Sequence, residues 1–465
     1  MGKMKKRTRG NCPPPKRMFR GQCLPPSFIS PLGGPASGLW SNGGPSGTEP
    51  VTPTPTPIIP SQSCRDTLTV VPFTVPIGGA PTPVSGGGNA LAFAVTLAGP
   101  GAFLQIMDSL NYNAISIANK FNLTIEAAPG QTPSITATPG NNNHCVTFGN
   151  NNDGVAMRGL TFIGTGNAQA PPAAGQAPQG LVNYNNSVGG LRRLIIEDCT
   201  FMESAGTLMT GAPAIWIRGT TGGVSQQDIS IHRCRFIDDG NSAAVPPADF
   251  AAVIIGGFSN VYIQNCEIAR SALPRASSTM NGLYLRVNQG IVEDVFVNDI
   301  GAAAASRAFF VPIGPSFGST NGLISFRNCV AYNTKVGYGI EVIGSSMAVQ
   351  DSVYYADIAV ASVAVSYSNG ALTFRDSVSF GSGGGFAFTA DPTGAPIVED
   401  HNDIFNFASN GRTLSPTDIS IDPLFGDVPN GSFVATAQPC QTAGSDGGAV
   451  GIRYPGGEKI IWCNH

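Results

Sequence analysis

Ile324-Ser325-Phe326-Arg327-Asn328-Cys329-Val330-Ala331 is an eight-residue phrase that the chain repeats along much of its length. Apolar residues occupy its first, third and eighth places, and a small or thiol side chain occupies its sixth. A period of two is typical of a β-strand, and this period breaks at the polar pair before the sixth place. The phrase therefore predicts a strand, a corner and a second strand. Close copies are found at residues 194–201, 229–236 and 261–268, and weaker copies at residues 155–162, 290–297, 347–354 and 372–379.

The copies recur at intervals that indicate a repeat architecture. Their sixth places lie between about 23 and about 39 residues apart. Most copies are followed by a Gly/Ala/Asn-rich loop and then by another alternating apolar run, as at residues 214–217 and 339–342. A leucine-rich repeat would need Leu/Asn spacing and a helical segment in each repeat, and a sandwich would alternate strands with tight hairpins. The pattern instead predicts an all-β solenoid, a single-stranded parallel β-helix with about three short strands per coil.

Two further regions carry a family resemblance. Residues 101–109, 114–117 and 122–130 are similar to the opening coils of the pectin-lyase-like superfamily, and residues 422–427, 431–433 and 447–451 are similar to its closing coil. The resemblance covers roughly residues 100–455 and implies a right-handed parallel β-helix. It implies little about activity, since this superfamily includes lyases, hydrolases, esterases, adhesins and viral spikes.

The chain divides into four predicted parts. Residues 1–64 are a basic, Pro/Gly-rich arm and linker, in which residues 51–57 favour an extended polyproline conformation and act as a stiff spacer. Such a composition is usually disordered. We assign residues 65–110 to N-terminal cap strands, including the apolar run at residues 90–97. The parallel β-helix then covers residues 111–430, and a C-terminal coil and tail covers residues 431–465.

Charge is distributed unevenly along the chain. The net charge is −3, yet residues 1–23 hold eight basic residues and no acidic residue precedes Glu49. The remainder therefore has 26 − 8 = 18 basic residues against 29 acidic ones, a net charge of −11. This asymmetry predicts an arm that meets an anionic partner, such as nucleic acid, a lipid surface or an acidic protein subunit. The candidate contact residues of the arm are Lys5, Lys6, Arg7, Arg9, Lys16, Arg17 and Arg20.

Only 12% of the residues are charged, which is low for the outside of a solenoid. Either partners cover some faces, or the coils stack with neutral polar surfaces. No stretch reaches about 18 apolar residues, and no secretory signal peptide is visible. A virion or an extracellular surface is the favoured location.

Eight of the ten cysteines fall into two groups. Cys199, Cys234, Cys266 and Cys329 share the sixth place of the phrase, so we expect a buried inward column of small apolar side chains. Two other pairs are candidates for disulfides, Cys12 with Cys23 and Cys440 with Cys463. No Cys-x-x-Cys motif occurs, so we expect neither a structural zinc site nor any other cofactor.

A row of large side chains is the main candidate site. The resemblance implies that family enzymes place their active groups on the outer face of the strand that follows the long loop. Adjacent coils of such a sheet are about 4.8 Å apart, so outward residues form a continuous ridge. The ridge could pack under the chain's own loops, contact a protein or bind a glycan. It consists of Trp216, Ile254, Tyr284, Phe310 and Glu341, with Arg218 and Arg286 beside it.

The signal for catalysis is weak. Glycoside hydrolysis needs two carboxylates at a defined separation, and the candidates are Asp238, Asp239 and Glu341. The Asp238-Asp239-Gly240 sequence is equally typical of a turn. The resemblance implies that a lyase would also need clustered acidic Ca²⁺ ligands and a basic residue, for which Arg286 with Glu341 is too sparse. We expect each of the four histidines to be structural or solvent-facing, because none pairs with a Ser or Cys nucleophile in a recognisable order.

These observations favour a non-enzymatic rod that its arm tethers to a larger assembly, such as a virion shell, a spike, an appendage or a surface layer. Its expected partners are other protein subunits, and a glycan or further copies of the chain are additional candidates. A polysaccharide lyase or glycoside hydrolase is the first alternative, and a secreted carbohydrate-binding adhesin is the second.

Overall fold

The computed structural model describes most of the predicted body and little of the arm. Its described residues are 17–19, 22–24, 73–76, 78–137, 144–164, 180–185, 190–203, 214–218, 227–237, 250–256, 259–269, 280–287, 289–298, 306–311, 323–332, 337–343, 346–355, 363–368, 371–389, 397–428 and 432–452. Asp238, Asp239, Cys12, Cys463 and the arm outside residues 17–24 lie outside them.

Consecutive strands of the body visit three sheets in fixed rotation. From β4 (Phe103–Ile106) to β32 (Val378–Phe380), each strand pairs in parallel with the strand three places later, as β10 (Asn152–Arg158) does with β13 (Leu191–Glu197). The first strand, β3 (Thr82–Val84), pairs with β4. Parallel crossovers of this kind are right-handed almost without exception. The predicted right-handed parallel β-helix is therefore confirmed, with three strands per coil.

Sheet 1 has twelve strands, sheet 2 eleven and sheet 3 ten. Sheet 1 contains β3 (Thr82–Val84), β4 (Phe103–Ile106), β7 (Phe121–Ala127), β10, β13, β16 (Gln227–His232), β19 (Ser259–Gln264), β22 (Gln289–Glu293), β25 (Leu323–Arg327), β28 (Ser346–Gln350), β31 (Leu372–Arg375) and β34 (Ile397–Asp400). Sheet 2 contains β5 (Asn111–Asn113), β8 (Ser134–Thr136), β11 (Thr161–Gly164), β14 (Thr200–Glu203), β17 (Arg235–Ile237), β20 (Glu267–Ala269), β23 (Phe296–Asn298), β26 (Val330–Tyr332), β29 (Val353–Tyr355), β32 (Val378–Phe380) and β35 (Asp403–Phe405). Sheet 3 contains β6 (Ile115–Ile117), β9 (Val146–Phe148), β12 (Val182–Asn185), β15 (Ile215–Arg218), β18 (Phe250–Gly256), β21 (Met280–Arg286), β24 (Ser306–Val311), β27 (Gly337–Ile343), β30 (Val363–Ser368) and β33 (Phe386–Phe388).

The repeated phrase forms the corner between sheets 1 and 2. The second residue of its polar pair adopts a left-handed backbone conformation, with φ of 55° at Asp198, 49° at Arg233, 53° at Asn265 and 54° at Asn328. Asn and Asp tolerate this region better than most residues do, which explains why polar residues recur there. The backbone N–H of Asp198 donates to the carbonyl of His232 in the next coil at 3.0 Å. Each corner is thus bonded to the corner that follows.

The sixth place of the phrase faces the interior, as predicted. Cys199, Cys234, Cys266 and Cys329 are buried and free. Each thiol also donates to the carbonyl two residues earlier, at 3.4 Å from Cys266 Sγ to Gln264 O and at 3.3 Å from Cys329 Sγ to Arg327 O. Ser352 Oγ bonds the carbonyl of Gln350 in the same way at 2.9 Å. The column is therefore a row of short hydrogen-bond donors rather than only of small apolar groups.

In-register stacking fills the rest of the core. The rings of Phe162, Phe201 and Phe236 stack with 4.8 Å between successive centroids. This distance equals the usual spacing of neighbouring strands. One side chain per coil therefore continues each column of the core.

A helix closes the N-terminal end of this core. Residues 90–97, which the sequence analysis placed in cap strands, form α1 (Ala90–Leu97), with Leu91 and Val95 buried. Its alanine content favours a helix over a strand. The outermost strand of sheet 1, β3, contains Pro83, which cannot donate a ladder hydrogen bond and so protects the sheet edge.

The C-terminal segment packs on the outside of the rod. Phe433, Cys440 and Val450 form a second apolar cluster with Val353 and Val378 on the outer face of sheet 2. The segment contains β36 (Phe425–Asp427), which pairs antiparallel with β37 (Ser432–Ala435), and a 3₁₀ helix at Gln438–Gln441.

The arm contains one described element. β1 (Arg17–Phe19) pairs antiparallel with β2 (Gln22–Leu24), so a backbone hairpin lies where the composition predicted none. Arg17, one of the predicted contact residues, begins this hairpin. Over the described part of the chain, no helix has the length and apolar character needed to cross a membrane.

The thiol column gives a direct test of the core. Cys266→Asp should lower the free energy of unfolding by at least about 3 kcal/mol, because it buries a charge without a partner. Cys266→Ser is the matched control, since Ser352 and Ser377 occupy the same place in later coils. It should cost far less. Thermal unfolding followed by circular dichroism measures both, and a normal melting curve for the Asp variant would contradict the inward phase.

Candidate functional site

The predicted ridge is formed on sheet 3. Trp216 is in register with Ile254, Ile254 with Tyr284, Tyr284 with Phe310 and Phe310 with Glu341. Arg218 and Arg286 are both in register with Gly256, one residue pair further along the strands. The backbone therefore brings the seven predicted ridge residues together on one face.

The two described rings of the ridge are buried. Only 5% of Trp216 and 3% of Tyr284 is exposed. The side chains of Arg218, Ile254, Phe310 and Glu341 lie outside the described structure. A binding role for the ridge stays a prediction.

Polar groups accompany these rings. The Arg286 guanidinium carbon lies 5.6 Å from the centre of the Tyr284 ring, within the range of a cation–π contact. Trp216 is in register with Asn183, and both side chains are more than nine-tenths buried. Neither Trp216 Nε1 nor Asn183 Oδ1 has a hydrogen-bond partner among the described residues. A buried donor beside a buried acceptor can hold a group that both accepts and donates, but it supplies no acid or base for catalysis.

Charged residues concentrate on another edge, just before the corner of sheets 1 and 2. Arg158 Nε lies 2.8 Å from Glu197 in the next coil, and Arg158 Nη1 lies 3.7 Å from Glu126 in the preceding one. Arg375 and Asp400 repeat the arrangement at 3.2 Å. One in-register row connects them, consisting of Glu126, Arg158, Glu197, His232, Gln264, Glu293, Arg327, Gln350, Arg375 and Asp400.

This charged ladder, as we call the row, bears on the low charge of the chain. Its members alternate in sign or are interrupted by neutral residues, so stacking at the strand spacing avoids like-charge repulsion. Partly exposed pairs of this kind stabilise by about 1 kcal/mol or less each. The ladder is therefore better explained as a device for keeping the coils in register than as a catalytic group.

His232 has a partner on its own strand. His232 Nε2 makes a short hydrogen bond with Ser230 Oγ, and the His232 ring lies 5.0 Å from the Tyr262 ring. Burial lowers the pKa of His232, and Glu197 opposes that shift. Ser230 is completely buried, so its hydroxyl is not placed for attack on a substrate. The two residues lie two apart on one strand, and this spacing could have identified the contact.

The other described histidines also have partners. His401 Nδ1 lies 2.6 Å from Asp400 Oδ1, and His144 Nδ1 is 2.8 Å from the Gly180 carbonyl oxygen. His144 and His401 thus take part in local contacts, as expected of structural residues. Across the described ranges, no three His, Cys, Asp or Glu side chains are grouped to hold a metal ion.

Buried carboxylates anchor the C-terminal segment. Asp403 Oδ1 accepts from Ile421 N at 3.0 Å, and Asp403 Oδ2 lies 3.2 Å from Cys440 Sγ. Burial raises the pKa of Asp403 to about 6. Asp376 accepts from the backbone N and the hydroxyl of Ser445 at 2.6 and 2.8 Å. Cys440 is free among the described cysteines, and its candidate partner Cys463 lies outside the described residues.

A further carboxylate closes the C-terminal end of the core. Glu399 is in register with Phe374, an inward residue, and is paired with Arg412 at 3.2 Å. Burial raises the pKa of Glu399 to about 7, although Arg412 draws it the other way. The sequence analysis missed both carboxylate anchors and this pair, because their partners come from the loop and tail beyond the last coil.

The chain passes through three parallel sheets in a fixed rotation, and this strand order establishes the fold. The chain has a right-handed parallel β-helix fold, which is the fold that the resemblance implied. No protein-family model matches the chain, and no curated protein matches it.

Two solved structures are similar to this β-helix. One is an alginate lyase from Paenibacillus sp. str. FPU-7, at 11% identity and a TM-score of 0.27, over 69% of this chain and 98% of that one. The other is a polygalacturonase from Erwinia carotovora ssp. carotovora, at 10% identity and a TM-score of 0.26, over 77% of this chain and 98% of that one. Likeness at this level carries no conclusion about activity. The fold assignment rests on the order of the strands.

The buried Glu399 predicts a pH dependence of stability. Its raised pKa means that the folded state holds this proton more tightly than the unfolded state does, so stability is lost as pH rises from about 5 to about 7. Glu399→Gln removes this loss. The difference in unfolding free energy between the variant and the wild type should therefore move in favour of the variant by roughly 2 kcal/mol between pH 5 and pH 8.

Urea unfolding at both pH values measures that change. The pKa values of Asp403 and Asp418 are raised as well. The stability of the Glu399→Gln variant should therefore still fall with rising pH, but less steeply than that of the wild type. Asp446→Asn, at an exposed carboxylate whose Oδ1 accepts from Gly448 N, is the matched control. Parallel pH profiles for the Glu399→Gln variant and the wild type would show that Glu399 does not titrate in this range.

Proposed function

We propose that this chain is a non-enzymatic structural or adhesive β-helix rod that its N-terminal arm tethers to a larger assembly, such as a virion shell, a spike, an appendage or a surface layer. The observation that carries the proposal is the division of charge along the chain. Eight basic residues lie within residues 1–23 without an acidic one, while the remainder has a net charge of −11. A short run of basic residues attached to an acidic body is typical of an arm that binds a partner.

The body supports this division of roles. Its guanidinium groups are largely used within the rod, since Arg158, Arg235 and Arg375 each lie within 3.2 Å of a carboxylate. The arm has no acidic residue of its own before Glu49 with which its cations could pair. The arm is therefore the part of the chain best suited to an anionic partner.

The rod and the linker suit a tether. Three continuous parallel sheets give a body in which each coil is bonded to its neighbours, and this makes the body stiff along its axis. Residues 52–57 alternate Thr with Pro, a composition that keeps a spacer extended. An arm on such a spacer can reach a partner at a distance from the rod.

Deletion of residues 1–64 tests the tether. The shortened chain should remain folded, because the apolar core is built from residue 84 onward, and should no longer co-purify with its assembly from the native source. Circular dichroism and co-purification are the measurements. Unchanged association of the shortened chain would defeat the proposal.

A charge-neutral arm separates electrostatics from mere chain length. Replacing Lys5, Lys6, Arg7, Arg9, Lys16, Arg17 and Arg20 by Gln in the full chain should abolish binding to anionic probes, for which duplex DNA and phosphatidylserine vesicles are suitable. For the wild type, binding to at least one probe should weaken steeply between about 50 and about 200 mM salt. Equal binding by both proteins would exclude the basic residues as the contact.

A second candidate function is a polysaccharide lyase or glycoside hydrolase. The observation that favours it is the register that aligns Glu341 with Phe310 and Tyr284, an acidic group on an aromatic row. If this function is correct, release of reducing ends or unsaturated products from a panel of acidic and neutral polysaccharides should fall at least about a hundredfold in Glu341→Gln. Absence of release from every polymer would count against it.

A further inference from the structure

Exposed large apolar side chains gather at the N-terminal end of the described body. Phe93 is 66% exposed, Leu97 is 69% exposed and Phe121 is 45% exposed, and Met107 and Leu110 are exposed nearby in sequence. The backbone carbonyl of Phe121 accepts from Gly101 N at 2.8 Å, three residues beyond the C-cap of α1, so its ring lies at the same end of the rod. Terminal caps of solenoids normally present a polar outer face. This end departs from that rule.

The geometry of α1 explains the exposure. Leu91 and Val95 lie on one side of the helix and are buried against the first coil. Phe93 and Leu97 lie on the opposite side, because they are two residues further along a helix that turns 100° per residue. The helix contains no acidic and no basic residue. Its outer face is therefore apolar, neutral and directed away from the rod.

The charged groups beside this face are already engaged. Lys120 Nζ donates to the carbonyls of Ala98 and Thr96 at 2.6 and 3.2 Å, at the C-terminal end of α1. Asp108 accepts from Gly86 N and from Tyr112 Oη, each at 2.7 Å. The outer face of α1 itself carries no charged side chain, so it does not select a charged partner. It can meet an identical surface without electrostatic repulsion.

The described residues that precede β3 run along the rod, away from α1. Val84 is in register with Ile106 in the first coil, whereas Val75 packs against Ala156 and Ile195 in the later strands β10 and β13. Traced backwards from β3, the chain thus moves along the rod and away from α1. Pro83 in the edge strand also disfavours a contact by strand addition. These observations favour the α1 helix of a second copy as the partner of this face.

We propose that the outer face of α1, with Phe93 and Leu97 at its centre and Phe121 beside it, is the contact between two copies of this chain. The same patch meets itself about a twofold axis, so the contact closes as a dimer instead of growing into a filament. The inference goes beyond the tether, since it requires no residue of the arm. A dimer would present two basic arms to one anionic surface, which raises the avidity of arms that bind weakly.

The mass of the full chain in solution is the first test. Light scattering across a micromolar concentration series should give the mass of two chains. Leu97→Glu should weaken the dimer at least about a hundredfold, because an apolar side chain is lost from both copies and two like charges meet. Val398→Glu, at a side chain that is similarly exposed at the other end of the rod, is the matched control and should leave the dimer intact. A wild-type chain that stays monomeric, or a Leu97→Glu variant with the wild-type mass, would overturn the proposal.

A charge swap tests whether the two helices face each other. The double variants Phe93→Lys/Leu97→Lys and Phe93→Glu/Leu97→Glu should each be monomeric and should form a mixed dimer when combined. Monomers in the mixture would overturn the self-complementary contact. The arm variant with seven Gln substitutions should still dimerise, so failure of the tether and failure of this contact give different results.

Discussion

The carbonyl group just before the corner of each coil is the point on which the architecture depends. The Arg327 carbonyl accepts the backbone N–H of Asp294 from the preceding coil at 3.1 Å and the thiol of Cys329 at 3.3 Å. The His232 carbonyl does the same for Asp198 N and Cys234 Sγ, at 3.0 and 3.2 Å. A carbonyl has two acceptor sites, and a buried one is costly if left without partners. The bend, the left-handed residue and the inward donor are three parts of one hydrogen-bonded unit.

Stacking these units in register has consequences for every other position. Because each residue meets its equivalent at the strand spacing, identical apolar residues reinforce one another, as the phenylalanine column of sheet 2 does. Identical charges would repel. The alternation of Arg158 with Glu126 and Glu197 avoids this repulsion. A low overall charge is thus compatible with a rod whose remaining outer positions are neutral or covered.

The sides and the N-terminal end of the rod differ in how much apolar surface they expose. Trp216 and Tyr284 are already covered by the chain, and the outer face of sheet 2 is covered in part by the C-terminal segment. The N-terminal end combines an apolar helix face with the basic arm that precedes it in the chain. The proposed tether and the proposed contact between copies therefore both involve the N-terminal part of the chain.

The repeated phrase alone was sufficient to predict the β-helix, the inward cysteines and the register of Trp216 with Tyr284. These features depend on a period of two and on the spacing between copies, which are properties of the sequence. The nature of α1 was missed, because an apolar run of eight residues shows no alternation that separates helix from strand. The contact of His232 with Ser230 was missed, although their spacing of two on one strand places both side chains on the same face.

Long-range contacts account for what only the tertiary structure could decide. Asp403 meets Cys440, and Glu399 meets Arg412, because the chain folds back over its last coil. Local pattern therefore determined which residues point in and which point out. The fold-back of the chain decided which outward residues remain in contact with solvent, since burial of an outer face depends on where distant segments pack.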